Sequence, residues 1–252
     1  SRHGIRVPYA PPGGIAEYSK SPTTNWFPNA SDWGAEGEAY LTKHGALVIR
    51  RMGAYHRRVL VDTGFLPSDG SGLTIYADDD PTQRDVRTAT AFFDGLLPGV
   101  PVNVVHTASY IQRLFNQGAL NSTACPSPTE AQVLGTIGGD AAAISQANRV
   151  AIQRLSDAVD CCRPAVCAPL LPPLEARHAA AGCTLMAQPT TGWTGRFYQF
   201  FGGPFWSAAS LSEYLQLVYL NNMSLGTLAP GLDVPQLGEL MLLHQSELDV
   251  TE

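Results

Sequence analysis

Between Leu41 and Leu66 the apolar residues Leu47, Val48, Met52, Tyr55 and Val59 recur at roughly helical spacing, with arginines on the opposite side. The pattern predicts a helix over 41–66 that ends near Gly64. LTIYA, 73–77, reads as a short buried strand. DDDPTQRDVRTATAFFDGLLPG, 78–99, then predicts a second helix, with Pro81 in its first turn and a stop at Gly95 and Pro98. VNVVHT, 102–107, is a second strand. Helix, strand, helix and strand at such short intervals are the signature of an α/β unit with a parallel sheet.

The pattern changes beyond about residue 120. Residues 129–159 are helical in pattern with one Gly-Gly break, and 160–206 are mostly loop. SLSEYLQLVYL (210–220) and VPQLGELMLLHQSEL (234–248) predict two more helices with no convincing strand between them. Residues 9–41, rich in Pro, Gly, Ser and Trp, form a long irregular loop. The expected fold class is therefore α/β: a mostly parallel sheet flanked by helices and interrupted by a mostly helical inserted domain. Its expected boundaries are 1–120 together with 234–252 for the α/β part, and 121–233 for the insert.

Composition narrows the function classes. A hydrophobic share of 44% against 15% charged residues suits a folded globular chain, and 19 prolines with 24 glycines suit extensive loops. The net charge of −6 argues against nucleic acid as a partner, and no apolar run is long enough to cross a membrane as a helix. Oligomeric state is left open. The cysteines at 125, 161, 162, 167 and 183 lack zinc-site spacing, and their clustering in a loop-rich stretch suggests disulfides and an oxidising compartment. Five is an odd number, so one cysteine lacks a partner within the chain. Sequons at Asn29, Asn121 and Asn222 carry meaning only in a eukaryotic secretory pathway.

Against this acidic background SRHGIRVP, 1–8, is a positive cluster. Arg2 and Arg6 present planar forks that match phosphate oxygens. Gly4 lets the backbone come close, and Pro8 suits a first helical turn, where backbone N–H groups add to an anion site. Like charges on either side favour the neutral imidazole of His3, which is then a nucleophile. The constellation binds a phosphoryl group and attacks it with an imidazole nitrogen. Arg177-His178, lacking the glycine and proline, reads as surface.

RHGIRVP resembles the RHGxRxP signature of the histidine acid phosphatases, the second branch of the histidine phosphatase superfamily. The mutase branch carries RHGE or RHGQ, from which Ile5 departs. LTKHGALVIRRMGAYHRRVLVDTGFLP resembles the family's LTxxG helix and GxYxR turn, and RLFNQG (113–118) resembles its FNP turn. ADDDPTQRDVRTATAFFDGLLPG resembles the segment in which an arginine precedes a helix ending in FxxGL. SLSEYLQLVYL and LMLLHQSEL resemble helices of the insert and just after it. The likeness covers nearly the whole chain and is greatest to bacterial periplasmic phytases and glucose-1-phosphatases.

The resemblance implies hydrolysis of a small phosphorylated substrate in two steps, through a phosphohistidine, with no metal or cofactor, in the periplasm or outside the cell. It makes His3 the nucleophile and Arg2, Arg6 and Arg84 the phosphate clamp. Arg87 competes with Arg84, but counting back from FFDGL favours Arg84 and leaves Arg87 on the helix surface. It also implies a local bridge between Cys167 and Cys183, and a partner for Cys125 near a C-terminus not present here. The pairing of Cys161 and Cys162 is left open. Tyr9 and Ala10 occupy positions where phytases often place a lysine or another polar residue, which points to a small sugar-phosphate pocket; Lys20 and Lys43 could still reach in. Glu213 matches an acidic position facing substrate and reads equally well as a solvent-facing helix carboxylate. His244 reads as structural.

One departure matters more than the rest. The family's general acid lies in a late HD or HAE motif, and no HD, HAE or HE occurs in the sequence. Two expectations follow: a chain truncated at both ends, with the acid beyond residue 252, or a binder of phosphate esters that has lost catalysis.

Overall fold

The computed structural model describes residues 3–8, 18–20, 29–78, 83–106, 128–163, 166, 183–195, 200–227, 229 and 231–251. The chain divides into two compact units, Ser1–Tyr9 with Asn29–Ser127 and Ala10–Pro28 with Pro128–Glu252.

The first unit contains α1 (Lys43–Leu60), β1 (Thr74–Tyr76), α2 (Arg84–Leu96) and β2 (Asn103–Val105). β1 and β2 pair in parallel, Ile75 opposite Val104, so the α/β unit expected from the alternating pattern forms with α2 as the crossover. Its core gathers Val61, Leu96 and Leu97, with Leu60, Leu66, Leu73, Phe92, Phe93, Val100 and Val102 packed around them. Pro81 and the segment RLFNQG lie outside the described residues.

Helix α1 starts where expected but turns the other way. Thr42 caps it by accepting the Gly45 N–H at 2.9 Å, and it stops at Leu60, with Gly64 (φ +78°) closing the turn that follows. Its buried positions are Gly45, Ile49 and Gly53, whereas Leu47, Val48, Met52, Tyr55 and Val59 are all exposed. Backbone proximity decides this. A Cβ at Gly53 would strike the carbonyl oxygen of Phe92, and one at Gly95 would strike that of Arg50. Helices α1 and α2 therefore touch through paired glycines, closer than any apolar side chain would permit.

The second unit is helical: α3 (Glu130–Thr136), α4 (Ala141–Ala147), α5 (Arg149–Ala158), α6 (Pro204–Leu220) and α7 (Val234–Thr251). The expected helical stretch of 129–159 is broken at Gly138 and Gly139, whose φ values of +92° and +87° suit glycine alone. Thr129 forms a capping box with Gln132 on one side of the break, and Asp140 caps α4 on the other. Helix α6 begins at Pro204, six residues before the expected 210, with proline at its first position. It buries Phe205, Trp206, Leu211, Leu215 and Val218 among others, and Ile152, Leu155, Leu237 and Leu240 complete the core. The sequence pattern grouped 234–252 with the α/β part. In the structure α7 packs on α6 within the helical unit, because Leu237, Leu240 and Leu243 form a buried stripe along it.

Residues 18–20 pair with 160–163 through the Lys20 N–H to the Asp160 carbonyl and the Arg163 N–H to the Tyr18 carbonyl, both at 2.9 Å. Cys161 and Cys162, unassigned from sequence, form a disulfide between chain neighbours. Cys183 is disulfide-bonded as well, while Cys125 and Cys167 lie outside the described residues. No helix among the described residues is long and apolar enough to cross a membrane.

Candidate active site

The segment 3–8 is held as a strand-like strip against the entry to α1. Arg6 bridges Leu41 in antiparallel fashion, the Val7 N–H donates to the Tyr40 carbonyl (2.9 Å), and the Thr42 N–H donates to the Ile5 carbonyl (3.1 Å). The Thr42 hydroxyl also donates to the Ile5 carbonyl at 3.3 Å. These contacts give LTxxG a physical meaning. Thr42 caps α1 and grips Ile5, and Gly45 lacks the Cβ that would collide with that same carbonyl.

Gly4 is fixed from three sides. A Cβ there would lie 2.7 Å from Ile49 Cγ1 and 3.0 Å from Leu41 Cδ1, so the strip lies flush on α1 only with glycine. Its N–H donates to Thr88 Oγ1 on α2 at 3.0 Å. Its carbonyl lies 2.8 Å from His3 Nδ1. A carbonyl oxygen can only accept, so in the neutral imidazole the proton sits on Nδ1 and the lone pair on Nε2.

Arg6 is buried, at 5% exposure, and its Nη1 donates to the Val7 carbonyl at 3.0 Å. Arg84 opens α2, after Gln83 in a left-handed conformation (φ +53°), and its Nε lies 3.7 Å from Asp85 Oδ2. Thr88 stands four residues further on, hence on the same face of α2, so the face that carries Arg84 is the one that holds Gly4. Arg87 points elsewhere. It forms a forked pair with Glu36 at 3.1 and 2.9 Å and lies over the Tyr40 ring, 5.4 Å from its centroid. That hydrogen-bonded guanidinium holds the Glu36 carboxyl below its usual range. Arg87 thus ties α2 to the 29–42 segment.

Glu213 lies in the second unit, on α6, with its Oε1 3.7 Å from His244 Nε2 on α7. Lys20 is in that unit too, 3.5 Å from Asp160 Oδ1, and Lys43 is the first residue of α1. Arg2, Tyr9, Ala10, Arg177 and His178 lie outside the described residues. Among the described residues no group of three or more His, Cys, Asp or Glu side chains is placed to hold a metal ion. Sequence reasoning missed Thr88 and Glu36. The signal for Thr88 was there, one helical turn beyond the candidate clamp arginine. Glu36 had none, since its partner is 51 residues away.

Comparison with known proteins decides the architecture. Phytase from Citrobacter braakii superposes with a TM-score of 0.70 at 19% identity, covering 100% of this chain and 59% of that one. It is the fold of these phytases. Klebsiella sp. ASR1 phytase superposes with a TM-score of 0.66 at 24% identity, covering 100% of this chain and 57% of that one. In sequence, the glucose-1-phosphatase of Salmonella typhimurium is 37% identical over 108 residues, which are 42% of this chain and 24% of that protein. The chain thus spans less than two thirds of the length of the phytases, and its sequence match covers about a quarter of the phosphatase. No family model matches the chain. The resemblance to the histidine acid phosphatases read from RHGIRVP is consistent with a phytase fold and with the sequence match to a glucose-1-phosphatase.

Proposed function

We propose that this protein is an acid phosphomonoesterase acting through a phosphohistidine. The observation that carries the reading is the imidazole of His3, its Nδ1 at the Gly4 carbonyl, three residues along the chain from the buried Arg6. Nε2 then holds the lone pair that attacks phosphorus. The P–O bond to the leaving alcohol breaks, the alcohol takes a proton from an acid, and water cleaves the N–P bond to release phosphate and restore His3. Arg6 and Arg84, with Arg2, neutralise charge building on the phosphoryl oxygens. Arg84 rather than Arg87 takes this part because Arg87 is already engaged with Glu36 and Tyr40.

The acid is not assigned to any residue between 1 and 252. Acid conditions suit the reaction, since a protonated carboxylic acid must supply the leaving alcohol. The substrate is phytate or a sugar phosphate such as glucose 1-phosphate, in line with the names of the matched proteins. Tyr9 and Ala10 favour the sugar phosphate. Glu213, facing His244, is read as joining α6 to α7. The helical unit is read as a domain inserted in the sequence of the phosphatase domain, and the disulfides suit a periplasmic or secreted location.

Phosphate release at about pH 5 from glucose 1-phosphate and phytate tests the reading. His3→Ala should abolish turnover and Arg84→Ala should cost about a hundredfold or more, whereas Arg87→Ala costs far less. Wild-type protein without hydrolysis but with retained binding of inorganic phosphate would establish instead a non-catalytic binder of phosphate esters.

A further inference from the structure

We propose that Thr88 is a positioning residue for His3: its hydroxyl holds the His3–Gly4 peptide from which the imidazole projects, and it locks that peptide to the helix carrying Arg84. The inference rests on the phosphohistidine reading and deepens it. Gly4 has two polar backbone groups, and both point into this arrangement. Its carbonyl is at His3 Nδ1, 2.8 Å, and its N–H donates to Thr88 Oγ1, 3.0 Å, across 84 residues of chain. The ring of His3 keeps one setting only if the backbone it projects from and the carbonyl it donates to both stand still. Ile49 and Leu41 crowd the Gly4 Cα, but apolar contact fixes position more than the rotation of a peptide plane. The Gly4 N–H belongs to the His3–Gly4 peptide, and the directional constraint on that plane is the hydrogen bond to Thr88; the carbonyl belongs to the next peptide, Gly4–Ile5, hinged on the same Cα.

Thr88 also sets a distance. Arg84 and Thr88 are one turn apart on a helix, so their separation is rigid. Anchoring Gly4 on Thr88 therefore fixes the nucleophile against the clamp arginine, and reactions of this kind lose rate steeply when reacting groups shift by a fraction of an ångström to an ångström. At a threonine with a merely structural role, valine, which has the same shape and no acceptor, would lower stability but leave kcat and the imidazole shifts unmoved.

The experiment compares wild type, Thr88→Val and Thr88→Ser by kcat and KM on p-nitrophenyl phosphate and by the 15N shifts of the His3 imidazole. Thr88→Val is expected to lower kcat about tenfold with little change in KM, and to erase the signature of an Nδ1-protonated ring. Thr88→Ser, which keeps the acceptor, should return kcat to within about threefold and restore the shifts. Valine at wild-type kcat with wild-type shifts, or serine as impaired as valine, overturns the proposal. If wild type and His3→Ala both fail to hydrolyse, the phosphatase reading falls. The imidazole shifts then still decide Thr88: unchanged in Thr88→Val they overturn its role, and changed but restored by serine they uphold it.

Discussion

In α1 the residues buried along the helix are Gly45, Ile49 and Gly53; in α6 they include Phe205, Trp206, Leu211 and Leu215. Both helices have about the same length, 18 and 17 residues, and both anchor their units. By sequence α1 is the more amphipathic, yet the apolar residues that make it so are exposed, Tyr55 at 64% and Val59 at 54%. Helix α6 is apolar nearly all round and is buried at eleven of its 17 positions. The contrast teaches that an apolar stripe marks a core only when nothing competes for the opposite face. In α1 the competitor is backbone contact: with α2 through Gly53 and Gly95, and with the 3–8 strip through Gly45.

The contrast can be broken first in α6. Phe205→Ala removes a fully buried ring and should cost about 3–5 kcal/mol, read as a lowered denaturant midpoint. Gly53→Ala should cost less, about 1–3 kcal/mol. Alanine gains up to about 1 kcal/mol of helix propensity over glycine, but its methyl meets a backbone carbonyl that cannot rotate away, so the clash wins and the net effect is destabilising. Tyr55→Ser on the exposed stripe of α1 should change stability by only about 0.5 kcal/mol. A loss of several kcal/mol at Tyr55 would show that this stripe is buried in the working protein, and would erase the difference between the helices.

How much was legible depended on the range of the interactions. The parallel pairing of β1 and β2 was readable because strand, helix and strand follow one another at short intervals. The capping at Thr42, Thr129 and Asp140 was local as well. The start of α6 was missed because Pro204 follows the aromatic run Phe200-Phe201, whose role is tertiary: Trp193 stacks on Phe200 with ring centroids 5.0 Å apart. At the site, His3, Arg6 and Arg84 were picked out by motif and by counting from FFDGL. Counting left Arg87 as a helix-surface arginine; the structure engages it with Glu36, a partner invisible in the sequence.

By itself, then, the sequence determined the α/β order of the first unit and the helical character of the second, and pointed to the residues proposed to bind and attack a phosphoryl group, because each is written in spacing over a few residues. Only the tertiary structure decided which face of α1 is buried, that α7 joins α6, that Cys161 bonds Cys162, and that Gly4 hangs on Thr88. Those depend on contacts between segments brought together by folding, and such contacts lay residues 3–8 as a strip against α1. The imidazole of His3 meets the Gly4 carbonyl, and the peptide that joins His3 to Gly4 is held from a helix 84 residues away.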